Sequence, residues 1–319
     1  MQPSVPMKIP VRQMSTQGGA PASLTRLLKE PTYSTQKLKL EDQRKKFKDD
    51  PNAISDLKAY ENSDENHEFV VLKGLISPAM VGTEDPTAPG HIWKKTDTFF
   101  TDFEKWYPHR VISQSADSLI ICNLSSHDTR QYTSEVDPEG KDKQKSAGMS
   151  YFHFLVIPRQ KVYNIVSVDD TNVIQEMISH FESAWNDGQG APKFIEAIDE
   201  ALDRRAKAVL EGYKAEPSTV DKRTEEFEKI MITVREDAAT FAQKLVNVKH
   251  SDFVHGFHAA PDASIGHLHM HVILAPSEFR IHSTGEHDWK TIPARAAMAV
   301  IRWEKTRAFF HGLIRVGKA

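Results

Sequence analysis

Three histidines alternate with apolar residues in the run Gly266-His267-Leu268-His269-Met270-His271-Val272-Ile273-Leu274-Ala275-Pro276. In a β-strand the period of two sends His267, His269 and His271 to one face and Leu268, Met270 and Val272 to the other. One side then packs a core while the other presents three imidazoles, with adjacent ones roughly 6 to 7 Å apart, the reach needed to line one phosphate. Such a row suits nucleophilic catalysis, in which the middle imidazole attacks phosphorus while its neighbours hold phosphate oxygens and protonate the leaving group. An unperturbed imidazole, with a pKa of ~6.5, can also serve as acid or base near neutral pH. A metal site is the rival, since a His-x-His pair on a strand can chelate zinc. The outer two of three histidines on one straight strand lie roughly 13 Å apart, so they cannot all converge on one ion. A metal would need His255, His258, His282 or Glu278 from elsewhere in the chain. A strand that merely carries surface histidines is the plainest alternative.

His267-Leu268-His269-Met270-His271-Val272-Ile273 matches the pattern His-φ-His-φ-His-φ-φ, where φ is apolar, and so resembles the histidine-triad superfamily. The third histidine is similar to the hydrolase branches, since the nucleotidyltransferase branch carries glutamine there. Phe152-His153-Phe154-Leu155-Val156-Ile157-Pro158-Arg159 resembles the family strand that ends in Ile-Pro and a basic residue. Gly256-Phe257-His258-Ala259, with Ser264 three residues before the triad, resembles the approach strand of aprataxin and of scavenger decapping enzymes. His287-Asp288-Trp289-Lys290 falls where aprataxin-like chains carry a His-Trp element. The resemblance spans about 96–290. It implies an α+β fold in which an antiparallel sheet carries the triad and helices pack it. It also implies hydrolysis or transfer at the α-phosphorus of a nucleotide derivative, without metal or cofactor. His269 would be the nucleophile that forms a nucleotidyl-histidine, and His271 and His267 would donate to the phosphate and assist the leaving group. His153, His258, Ser264 and Asn123 would complete the substrate pocket, Asn123 standing where the family usually has a ribose-binding aspartate. The partner implied is a small nucleotide; a nucleic-acid end or cap, and a second copy in a homodimer, stay open. Aprataxin-like proteins also carry a cysteine-containing zinc element, which a chain whose one cysteine is Cys122 cannot build. A pocket that binds nucleotide without turnover, or serves other chemistry, is the second open reading.

The elements that must position these residues follow from the pattern along the chain. At 319 residues with 39% hydrophobic content, the chain can bury a sizeable core. A net charge of −3 argues against broad attraction to nucleic acid. One cysteine excludes an internal disulfide, and with no bilayer-spanning apolar run the expectation is a cytoplasmic or nuclear protein. Residues 1–32 are polar, basic and proline-interrupted, read as a disordered tail, with a mitochondrial presequence as the alternative. Residues 33–95 form an N-terminal extension, either a separate lobe or a wrapping segment: a charged helical stretch to Tyr60, Arg44 included, whose interleaved signs read as a solvated face, then a short strand over 68–76. Residues 96–290 are the catalytic domain, with insertions at about 125–149 and 187–223, and 291–319 a C-terminal helix. Strands are expected at Ser118–Leu124, Tyr151–Pro158 and Phe253–His258. On the last, Phe253, His255 and Phe257 share one face and His258 takes the other. Helices are expected from Asp169 or Asp170 to Trp185, over 193–210 and over 224–246. Phe99, Phe100, Phe103, Trp106 and Tyr107 cluster before Pro108; a base-stacking shelf and core packing both fit, the latter being the commoner fate.

Overall fold

The computed structural model describes residues 30–123, 152–188, 190–214, 220–274 and 289–316. The expectations for 1–29, for the insertion at 125–149 and for Glu278, His282 and His287 fall outside the described residues. Among those described, an antiparallel sheet of six strands runs in the order β1-β2-β3-β5-β4-β6. Its strands are β1 (Val111–Gln114), β2 (Ser118–Cys122), β3 (His153–Pro158), β4 (Phe253–His258), β5 (Met270–Leu274) and β6 (Thr291–Pro293). The helices are α1 (Glu30–Asp49), α2 (Pro51–Glu61), α3 (Phe103–Trp106), α4 (Asn172–Asn186), α5 (Gly190–Lys214), α6 (Val220–Lys244) and α7 (Ala294–Val316). The fold is therefore α+β with a helix-packed antiparallel sheet. None of the described helices is long and apolar enough to cross a membrane.

Alternation along the strands builds two faces. Phe154, Val156, Phe253, Phe257, Met270 and Val272 turn to the helices, where Phe181 and Trp185 of α4 and Phe194 of α5 meet them. Leu119, Ile121, Leu155 and Ile157 turn the other way, onto Phe100, Phe103 and Tyr107. The α4 stripe Ile174, Met177, Phe181 and Trp185 has the spacing of one helix face, and Asp170 accepts the Asn172 N–H at 3.0 Å to finish its first turn. Of the expected aromatic shelf, Phe100, Phe103 and Tyr107 are buried, whereas Trp106 lies flat on His91 with ring centroids 4.5 Å apart.

The N-terminal segment is part of this packing. Asp50 caps α2 by accepting from the Asn52 and Ala53 amides, with Pro51 in the first turn where a missing N–H costs nothing. Leu40 and Phe47 of α1 join the core on the helix side of the sheet. Arg44, read from the sequence as one charge of a solvated face, is wholly buried. Its guanidinium donates to the carbonyls of Ile165, Val166 and Val168 and pairs with Glu304 of α7 at 2.8 Å.

Two expectations change. The segment 68–76 bends at Val70–Val71 and at Gly74–Leu75 and pairs with no strand among the described residues, because the Asp56 carboxylate takes the amides of Val70, Val71 and Leu72 at 2.9, 2.6 and 3.1 Å. Those donors have no need of a ladder. The chain after Lys290 first adds an edge strand, β6, against β4, and the C-terminal helix begins only at Ala294.

Candidate active site

The triad is only partly on a strand. β5 begins at Met270, so His271 is on the sheet while His267 and His269 lie in the turn that feeds it. The straight-strand expectation gives way to a tighter arrangement, since the feeding segment is bound elsewhere. Leu268 N–H donates to the Val162 carbonyl at 2.7 Å and Gly266 N–H to the Gly74 carbonyl at 2.9 Å. Glycine is required at both ends of that last contact. Gly74 has φ +79° and a Cβ there would stand 2.3 Å from the Gly266 nitrogen, while a Cβ on Gly266 would meet the Lys73 carbonyl oxygen at 2.4 Å.

Each triad imidazole has a different set of partners. His267 is 1% exposed and uses both nitrogens: Nε2 lies 2.9 Å from the Pro158 carbonyl and Nδ1 3.1 Å from the Tyr60 hydroxyl. A carbonyl only accepts, so Nε2 carries the proton and Tyr60 donates to Nδ1. His267 therefore has no N–H to offer a phosphate. His269 donates from Nδ1 to the carbonyl of His267 at 2.6 Å, which leaves the lone pair of Nε2 free. Phe100 meets the His269 ring edge-on at 5.2 Å. His271 has its Nδ1 2.9 Å from Nε2 of the wholly buried His153, and its own Nε2 is covered without a protein partner. Asn123 Nδ2 stands 3.4 Å from Nδ1 and 3.3 Å from Nε2 of His153, behind the pair.

Register explains why His258 arrives here. His271 pairs across β4 with Gly256, so Gly256 and His258 share its face, and His258 lies over the His271 ring at 4.0 Å. A Cβ at Gly256 would come within 2.5 Å of the Thr291 methyl, and Thr291 is the residue of β6 that bonds His258 Nε2 at 3.2 Å. His255, one position out of phase, turns to the helices and packs on Phe181 at 5.7 Å. It cannot share an ion with His258. Among the described residues no three His, Cys, Asp or Glu come together to hold a metal.

These groups open on a cleft of about 510 Å³. His269, His271, His258, Asn123 and the exposed Ser264 line it; His153 stands behind His271 and His267 beneath His269. Trp93, Phe99, Phe100, Phe103 and Tyr107 form an aromatic wall. The buried aromatics thus serve as core and lining at once, and Phe99 is half exposed. Two cations escaped the sequence reading. Lys290 lines the cleft beside Trp289, and Arg110 sits three residues past the aromatic cluster with its guanidinium 4.9 Å from the Tyr107 ring. The signal for Arg110 was its place at the end of an aromatic run; nothing in the spacing tied it to the triad.

Burial governs the electrostatics. It pushes His267 and His269 down to about 4 and His271 well below its ordinary value, so all three are neutral in the free protein at pH 7. It also works against the charge on Lys290 and on Arg110.

Residues 212–285 match the family model described as the scavenger mRNA decapping enzyme C-terminal binding region. The matched stretch takes in all of α6, β4 and β5, with the triad. No curated protein and no solved structure gives a significant match.

Proposed function

We propose, on the premise that this chain is a histidine-triad protein of the hydrolase type, on the scavenger-decapping side of that superfamily, that it cleaves nucleotide derivatives at the α-phosphorus through a nucleotidyl-histidine. The observation that carries the reading is the bond from His269 Nδ1–H to its neighbour's carbonyl, which fixes the tautomer with an unprotonated Nε2 at the cleft. With its pKa near 4, that nitrogen needs no base to free its lone pair at neutral pH.

In the first step Nε2 of His269 forms a bond to phosphorus and the bond from phosphorus to the leaving group breaks. The leaving group takes a proton from His271. Free His271 is neutral, so the proton arrives with the substrate, whose phosphate charge offsets the burial that otherwise excludes it. Once protonated, His271 carries an N–H at each nitrogen: Nδ1–H donates to Nε2 of His153, which holds its own proton on Nδ1, and Nε2–H meets the leaving group. In the second step water attacks the nucleotidyl-histidine, the P–N bond breaks, and His271 recovers its proton from the water. An alcohol or phosphate in place of water turns hydrolysis into transfer. His267 acts as a positioning residue, bracing the loop from Tyr60 and Pro158. Lys290, His258 and Ser264 offer contacts for phosphate oxygens, and the aromatic wall a surface for the base.

The test is intact-protein mass spectrometry after rapid acid quench. Dinucleoside polyphosphates, nucleoside phosphoramidates and a cap analogue are compared on the parent and on His269→Ala, with and without EDTA. A nucleotide-sized adduct on the parent in both buffers, absent from the variant, is the expected result. No adduct and no released mononucleotide across the panel would overturn the covalent mechanism and leave a nucleotide-binding protein without turnover.

A further inference from the structure

A second set of reactive side chains lies across the sheet from the triad. Along β2, Leu119 and Ile121 face the aromatic wall of the cleft, so Ser118 and Ile120 face the helices. There His180 of α4, 8% exposed, has both ring nitrogens engaged: Nδ1 is 2.7 Å from the Ser118 hydroxyl and Nε2 3.0 Å from the Ser113 hydroxyl. One turn earlier on α4, Glu176 Oε1 accepts from the Ser118 hydroxyl at 3.1 Å and from the Ser115 hydroxyl at 2.6 Å, while its Oε2 is covered without a partner. Each serine has one O–H to give, and that count orders the network. If Ser118 gave its proton to His180, Glu176 would keep a single donor for two carboxylate oxygens, a covered charge badly under-bonded. With Ser118 donating to Glu176, His180 Nδ1–H donates to Ser118 and Nε2 accepts from the Ser113 hydroxyl. This is the polarity that makes a serine nucleophilic, with the carboxylate reaching the imidazole through one further hydroxyl. Burial holds His180 below its ordinary pKa against the pull of Glu176, so the ring is neutral at pH 7.

Ser113 stands where a small reagent reaches it. β1 is an edge strand of the sheet, and Ser113 is half-buried on it. The bulge between Val111 and Ser113 breaks the alternation of β1, the irregularity by which a strand re-aims a side chain. Ser115 N–H bonds back to the Ser118 carbonyl at 2.9 Å, so by the period of two the Gln114 N–H points away from β2, at the open edge. An open amide one residue past a nucleophile is a donor for a developing oxyanion.

We propose that Ser113 and His180 form a second reaction centre, independent of the triad, which hydrolyses small activated carboxylic esters. Ser113 Oγ bonds to the carbonyl carbon as its proton passes to His180 Nε2; the ester C–O bond then breaks and the alkoxide leaves with that proton. Water bonds to the same carbon and gives its proton to Nε2, the bond to Ser113 breaks, and Ser113 takes the proton back as the carboxylic acid departs. Ser118 and Glu176 are positioning residues, which hold the ring in the tautomer that accepts from Ser113.

A fluorophosphonate is the probe, because its P–F bond breaks and fluoride leaves when a serine oxygen bonds to phosphorus. Peptide mapping of the labelled parent should place an adduct on Ser113, and His180→Gln should form that adduct about 100-fold more slowly. No adduct on Ser113, or an undiminished rate in His180→Gln, would overturn the proposal. If that variant does not fold, the parent decides by itself. A rate of labelling at Ser113 that stays level from about pH 7 to 8.5 reports a neutral imidazole as the base and upholds the centre. A rise of about 10-fold per pH unit reports a serine without that help and sinks it. Release of nitrophenolate from p-nitrophenyl acetate should fall about 10-fold or more once Ser113 is labelled, and unchanged release would overturn the ester activity.

Discussion

At His269 two properties of one side chain have a single origin. The turn that carries it is buried by Gly74, Val162 and Phe100, which lets its Nδ1 find the His267 carbonyl and also excludes the water that would stabilise an imidazolium. The pH dependence follows. An unprotonated Nε2 is required, so activity is lost as pH falls through the pKa of the free enzyme, about 4 rather than the ordinary 6.5. We expect kcat/KM for a nitrophenyl ester of a nucleotide, whose leaving group departs without the His271 proton, to stay level from pH 8 to about 5.5, with near-UV circular dichroism confirming at each pH that the chain is still folded. A descent centred near 6.5 would mean that His269 is solvated in solution. His269→Ala should lower the rate by about 10⁴-fold or more, the scale seen when a nucleophile is removed. The triad itself was legible in the sequence because strict alternation survives as a pattern even where the strand does not. The partners of His267 were not legible: Tyr60 lies 207 positions away and carries no periodic signal.

Among the elements, β4 shows how far a period of two reaches. Its bounds and the opposite facing of His255 and His258 both follow from alternation, and the structure has them so. The run at 68–76 looked equally strand-like, but a carboxylate outside the run took its amides. Burial works to raise the pKa of Asp56, yet the bond to His67 and the three backbone donors outweigh it and hold the group below its ordinary value. Side-chain capping of this kind is invisible to periodicity. His255 supplies a prediction about the sheet. Its Nε2 is covered and unpartnered, and burial pushes it down to about 4. Above pH 6.5 neither folded nor unfolded chain protonates it. Between 6.5 and 4 only the unfolded chain does, so stability drains away as pH falls. His255→Leu should therefore flatten the acid limb of denaturant stability, retaining about 3 kcal/mol at pH 4 that the parent loses. Parallel acid limbs for the two proteins would show that His255 is hydrated in the folded state.

Across the whole molecule α1, the loop after β3, the turn at Asp262 before the triad, Trp289 and α7 share one set of contacts. Arg44 joins the loop at Ile165–Val168 to Glu304, Gln36 donates to the Trp289 carbonyl, and Lys39 pairs with Asp262 and lies over the Trp289 ring. The sequence left open whether 33–95 stood apart, because interleaved charge conceals the few positions that turn inward. Arg44→Ala would strand three buried carbonyls and leave Glu304 with Lys48 alone, at a cost of about 3 kcal/mol. Urea unfolding should show a lower midpoint with an unchanged slope, and a second transition would instead reveal the extension unfolding by itself. The same geometry fixes an order of events during synthesis. α1 leaves the ribosome well before the groups it fastens to, since Trp289 lies 253 residues after Gln36 and Glu304 260 after Arg44. Through that interval α1 lacks these partners, so its charged face keeps the waiting segment in solution until α7 arrives.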